Sequence, residues 1–115
     1  MILRLAQEER LSGAVVHRGI VYLAGQVADD TSLDTEGQTA DVLNQIDELL
    51  AVAGTDKAHL LSVQIILADI ADAPAMNRAW DAWLDTRAKP ARMTIQAPLA
   101  NPAWKVEITG IAALP

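Results

Sequence analysis

The chain has 115 residues, no cysteine and a formal net charge of −6. That length fits one domain, able to bury roughly two-thirds of the surface its unfolded chain exposes, and the missing cysteines exclude disulfides, thiolate zinc sites and a nucleophilic thiol, which points to a reducing cytoplasm. The acidity disfavours a nucleic-acid partner, because phosphate binding draws on summed positive potential; the amino-terminal "MILRLAQEERLSG" has too short an apolar run for a signal peptide, and no apolar run reaches the roughly 18 residues of a membrane span.

Strand signals open the chain, in "ILRL" at 2–5 and "AVVHRGIVYLAGQV" at 14–27. Arg18-Gly19 falls between two β-branched runs and predicts a tight hairpin turn. From Thr35 to Ala53 the apolar residues Val42, Leu43, Ile46, Leu49, Leu50 and Ala53 recur at helical spacing. Thr35 and Gln38 form a capping-box pattern, and Gly54 stands where a left-handed cap belongs. "LLSVQIILADI" at 60–70 predicts a central strand. Asp72 predicts the cap of a second helix, with Pro74 in its first turn, running to about Thr86 and carrying Met76, Trp80, Trp83 and Arg87 as one stripe. "RMTIQAPL" and "WKVEITGIAAL" predict a final strand pair joined by a turn at "PLANPAW". The order β-β-β-α-β-α-β-β predicts a single α+β domain, residues 1–115, with two helices on one face of a mixed sheet.

Charge is distributed unevenly. Gly19 to Asp56 holds eight acids and no Lys or Arg, whereas Arg87 to Val106 holds Arg87, Lys89, Arg92 and Lys105 and no acid. Arg92, within the basic stretch, and Glu107, just beyond it, stand fifteen residues apart in segments that otherwise look like core. A hairpin centred between Leu99 and Ala100 sets them opposite each other. One reading is then a cross-strand ion pair contributing about 0.2–1 kcal/mol. The other is a site: a guanidinium offers a rigid donor fork to a carboxylate, and a partly desolvated Glu107 holds and deprotonates a water beside the bound acid. Spacing alone leaves both open.

"PARMTIQAPLANPAWKVEITGIAA" resembles the carboxy-terminal signature of the Rid family of small imine deaminases, also called YjgF-like. "YLAGQV" is similar to the family's "SGQ" segment, and "VAGTDKAHLLSVQIILADIADAPAMNRAWDAWL" to its middle block; "MNRAWDAWL" and "NPAWKVEI" look most like the YoaB-like branch. The resemblance implies a chorismate-mutase-like subunit assembling as a homotrimer around a central β-barrel, with ligand clefts between subunits. It implies that Arg92 binds the carboxylate of a 2-imino acid and that Glu107 positions the attacking water. It further implies that main-chain groups around Thr94 contact the ligand and that Asn77 lies near it. Where well-studied members carry tyrosine, serine and cysteine, this chain has Leu11, Ala24 and Thr94, so the implied pocket is less polar.

Other residues carry less. His17 and His59 lack spaced partners for a metal set, Ser12 and Ser62 lack an elbow motif, and the glycines form no phosphate loop. Trp80, Trp83 and Met76 read as core or interface, and the acids from 29 to 56 as a solvated loop and helix face. Three functions follow: cofactor-independent hydrolysis of 2-imino or 2-enamino acids, a non-catalytic sensor of small 2-oxo or other carboxylic acids, and RNA cleavage, which the acidity opposes. No metal, cofactor, nucleic-acid or membrane partner is expected.

Overall fold

In the computed structural model, which describes all 115 residues, the elements are β1 (Ile2–Gln7), β2 (Ser12–His17), β3 (Ile20–Leu23), β4 (Gln26–Val27), α1 (Thr35–Ala53), β5 (Leu60–Leu67), α2 (Ala73–Trp83), β6 (Ala91–Gln96) and β7 (Val106–Ala113). Short 3-10 turns at Lys57–His59 and Ile70–Asp72 lead into β5 and α2. The β2–β3 hairpin forms as its sequence predicts: Arg18 and Gly19 both adopt positive φ, 51° and 77°, and this handedness matches the twist of the flanking strands. The expected α+β arrangement holds, with one mixed sheet and both helices on one of its faces. Ala14, Val16, Val21, Leu23, Val63, Ile65, Leu67, Val106 and Ile108 point to the helices, which insert Val42, Leu43, Ile46, Leu50, Met76 and Trp80 between them. The other face is open and carries Tyr22, Met93, Ile95 and Ile111, each more than a third exposed.

The strand order is β1-β2-β3-β7-β5-β6, with β4 continuing the β3 side of β7. This overturns the expected final hairpin. β6 is parallel to β5, because α2 carries the chain across the helix face between them. The segment 97–105 then passes β5, and β7 enters on its far side, antiparallel to it. β6 and β7 never pair, and β6 is an edge strand.

Local details also depart from expectation. α1 is capped by Asp34, whose side chain accepts from Gly37 N at 2.8 Å, and not by a Thr35–Gln38 box. Gln38 instead turns inward, fully buried. Its Nε2 donates to Leu33 O and Ala103 O at 3.1 and 3.0 Å, and its Oε1 accepts from Lys105 N at 2.9 Å. Buried amides must be paired, and this one is paired by tying the segment before β7 to α1. Gly54 ends α1 in the left-handed conformation, as expected. Asp72 precedes α2 but makes no cap bond; it accepts from Thr35 Oγ1 at 2.9 Å and so joins the two helix starts. α2 stops at Trp83, three residues short of the expected end, so Arg87 lies outside the helix and its stripe. No helix is long and apolar enough to cross a membrane.

Candidate functional site

Two candidate half-sites lie on opposite faces of the sheet. The first is centred on Arg92. Its register partner is the buried Val63, so its side chain leaves β6 on the helix face. Because β6 is an edge strand, the guanidinium emerges past α2 into solvent rather than into the core. There it meets one flank of α2: Nη1 donates to Asn77 Oδ1 at 2.8 Å and lies 4.0 Å from Met76 Sδ, and Cζ stands 5.1 Å from the centre of the Trp80 ring. Such a cation–π contact contributes about 0.5–1 kcal/mol when exposed and about 2 when desolvated. The chain's four ion pairs use Arg10, His59, Arg78 and Arg87 as their basic members, so Arg92 is held by neutral groups alone. Thr94, two residues along the same face, is half-buried, and its hydroxyl is buried without a hydrogen-bond partner.

The second half-site is centred on Glu107 of β7. Its register partners are Val27 on β4 and Ile66 on β5, so it faces away from the helices. Its half-buried carboxylate takes part in none of the four ion pairs and lies directly against the backbone of Gly25, where a Cβ would overlap Oε2. Only glycine leaves that space. Ala24 precedes it, half-buried, its N–H donating to Gly13 O at 2.9 Å. Leu11, half exposed, lies two residues before Gly13 at the same end of the sheet.

The structure thus brings Arg92, Asn77 and Thr94 together, places Ala24 next to the glycine that Glu107 touches, leaves Leu11 on β2's end of the sheet with no contact to Glu107, and does not unite the two groups. The cross-strand ion pair is excluded on geometry: β5 stands between the strands, and the two side chains leave on opposite faces. Asn77 is placed on the arginine, as a partner of its guanidinium. Sequence reading missed Trp80 and Gly25. Trp80 had a signal, since it follows Asn77 by three residues on one helix flank; Gly25 had only its place in "AGQV".

The chain matches the family model described as Endoribonuclease L-PSP over residues 1–114, and it belongs to this family, the YjgF/Rid proteins. A RutC family protein of Haemophilus ducreyi is 46% identical over 114 residues, covering 99% of this chain and 97% of that one. The RutC family protein YoaB of Escherichia coli is 43% identical over 113 residues, covering 98% of each. Among solved structures, NMB1025 of Neisseria meningitidis, a member of the YjgF protein family, superposes with a TM-score of 0.97 at 42% identity, covering 100% of this chain and 96% of that one. More distantly, the chloroplastic Reactive Intermediate Deaminase A of Arabidopsis thaliana is 29% identical over 109 residues, 95% of this chain and 58% of that protein.

Proposed function

We propose that the protein hydrolyses reactive 2-imino and 2-enamino acids to 2-oxo acids and ammonia, in clefts where neighbouring copies of a cytoplasmic homotrimer meet. The observation that carries this reading is an exposed arginine held by neutral partners, together with an unpaired glutamate on the opposite face. Arg92 has charge and donors to spare for a substrate carboxylate, and a second copy is what can present Glu107 to it. The open apolar face, with Tyr22, Met93, Ile95 and Ile111, is the surface such an assembly buries. Family membership and the deaminase name of the Arabidopsis relative support the reaction class.

In this scheme Arg92 binds the carboxylate of the imino acid, an enamine first taking a proton at carbon to reach the same species. Glu107 accepts a proton from water as its oxygen attacks the C=N carbon, giving a carbinolamine. That proton passes to nitrogen to complete the carbinolamine; Glu107 then takes the carbinol hydroxyl proton and delivers it to nitrogen as the C=O bond forms and the C–N bond breaks, so ammonia leaves with the 2-oxo acid. Water, a base and a carboxylate anchor suffice, so the step calls for no cofactor. Ala24, next to the glycine that Glu107 touches, makes the surroundings of the reacting carbon less polar.

The test generates imines in situ from alanine, leucine and serine with appropriate amino-acid enzymes and follows their decay. The wild type accelerates decay. Glu107→Gln loses on the order of 10² to 10⁴-fold in turnover, the range for general-base removal, yet still binds 2-oxobutanoate, whereas Arg92→Ala loses binding as well. A carboxylate sensor is the second reading, favoured by the fact that the Arg92 anchor is complete without Glu107. Binding of 2-oxobutanoate with no acceleration of any imine would establish the sensor and remove the enzyme. RNA cleavage, which the family's description names, is opposed by the net charge of −6.

A further inference from the structure

We propose that Trp80 is the positioning residue for the carboxylate anchor: its indole holds the Arg92 guanidinium by its face and leaves the in-plane N–H donors to the ligand. The inference rests on the reading of Arg92 as that anchor. A guanidinium has two kinds of surface, a π face and an edge of five N–H donors. An Asp or Glu partner consumes the edge and neutralises the charge. An indole occupies the face, consumes no donor and leaves the charge uncompensated. Cζ stands 5.1 Å from the Trp80 ring centre, and one Nη1–H goes to Asn77 Oδ1 at 2.8 Å. Those two contacts hold the guanidinium at two points while most of the fork stays open.

The clamp is itself anchored. Trp80 is 5% exposed, and its ring centre is 5.5 Å from that of Trp83, tilted by 52°. Trp83 Nε1 donates to Asp47 of α1 at 2.9 Å, Lys57 Nζ donates to Trp83 O at 2.5 Å, and the same ammonium lies 5.0 Å from the Trp83 ring centre. The indole pair therefore runs from the α1–α2 contact to the edge of β6, with one cation at each end. Arg92 gains a fixed orientation before any ligand arrives, which lowers the ordering cost of binding.

The experiment compares the wild type with Trp80→Phe, which keeps an aromatic face, and Trp80→Met, which fills space without one. Calorimetry with 2-oxobutanoate should show Kd raised about 3- to 30-fold in Trp80→Met, the span of exposed to desolvated cation–π contacts, and within about threefold of wild type in Trp80→Phe. With an imine substrate, KM should rise in Trp80→Met while kcat holds, because an anchor binds ground and transition states alike. A merely structural tryptophan would lower the melting temperature and the folded fraction of both variants but leave Kd per folded molecule unchanged; that result overturns the inference, as does a Phe variant no better than Met. Side-chain NMR of Arg92, assigned with Arg92→Lys, supplies a readout independent of activity. Its guanidinium protons should be shifted upfield in wild type and Trp80→Phe and not in Trp80→Met. Should the wild type bind no 2-oxobutanoate, the carboxylate reading fails; an upfield shift then still upholds the clamp, and its absence from the wild type overturns it.

Discussion

Adding a single methyl group at Gly25 tests where the Glu107 carboxylate must stand. An alanine Cβ there overlaps Glu107 Oε2 and lies 3.0 Å from Cδ and 3.2 Å from Cγ. Ordinary non-bonded contacts sit at about 3.5–4.0 Å, so the carboxylate must swing away by about 1 Å or more. The obstructing atoms are the far end of a flexible side chain, and Gly25 does not use the left-handed backbone region. Gly25→Ala should therefore fold normally. Reduced freedom of the unfolded chain favours the variant by about 0.4–1 kcal/mol, against a rotamer change of similar size, so the melting temperature should stay within about 5 °C. Catalysis is far more sensitive, since a misplacement of about 1 Å can cost about 10²-fold. Imine-decay kinetics should show kcat reduced about 10- to 100-fold, with 2-oxobutanoate affinity nearly intact because Arg92 is untouched. Full turnover at an unchanged melting temperature would refute the argument that the position of Glu107 sets the rate.

Light scattering should give about three times the 12.3 kDa chain mass; a monomer at micromolar concentration would remove the shared cleft. Gln38→Leu strips partners from the Leu33 and Ala103 carbonyls and the Lys105 amide, and unpaired polar groups cost about 1–3 kcal/mol each when sheltered, so urea unfolding should show a loss of about 2–4 kcal/mol. The Asp56 carboxyl is held below its ordinary value of 3.8 chiefly by the hydrogen bond from His59, with the Ala58 N–H adding to it. A lowered folded-state value means that the stabilisation is complete above about pH 4 and is lost as pH falls through the folded midpoint. NMR titration should place that midpoint below 3.8, and Asp56→Asn should flatten the acid-side decline in stability.

Local structure was legible because it depends on neighbours along the chain. The apolar spacing of Val42, Leu43, Ile46 and Leu50 sets α1, and Arg18-Gly19 sets the hairpin, without reference to distant residues. Strand partnership is a different kind of information. Alternation along β6 and β7 shows which residues share a face of each strand, but not which strand lies alongside. The sum of positions 92 and 107 suits a hairpin arithmetically, yet α2 delivers β6 parallel to β5, and β5 then separates it from β7. The capping box failed for a related reason. Gln38 suits the motif locally, but the backbone of Ala103 and Lys105, more than sixty residues away, makes the stronger claim on its amide. Trp80 and Gly25 were hidden because their roles lie in what they touch, Arg92 and Glu107, and touching is settled by tertiary packing.

The separation of Arg92 from Glu107 is what leaves both usable. Placed opposite each other in a hairpin, they would have formed an ion pair, and each would have satisfied the other: the fork filled by a carboxylate, the base neutralised by a cation. On opposite faces neither quenches the other. Arg92 rests on an indole and an amide, which steady it without taking its charge, and Glu107 rests against a glycine, which gives it room without giving it a proton donor from a side chain. Within one subunit, β5 and the two faces of the sheet keep Arg92 and Glu107 apart. In the proposed assembly they would meet across an interface with both valences free, and the strand order that defeated the hairpin reading is what makes that proposal depend on a second copy.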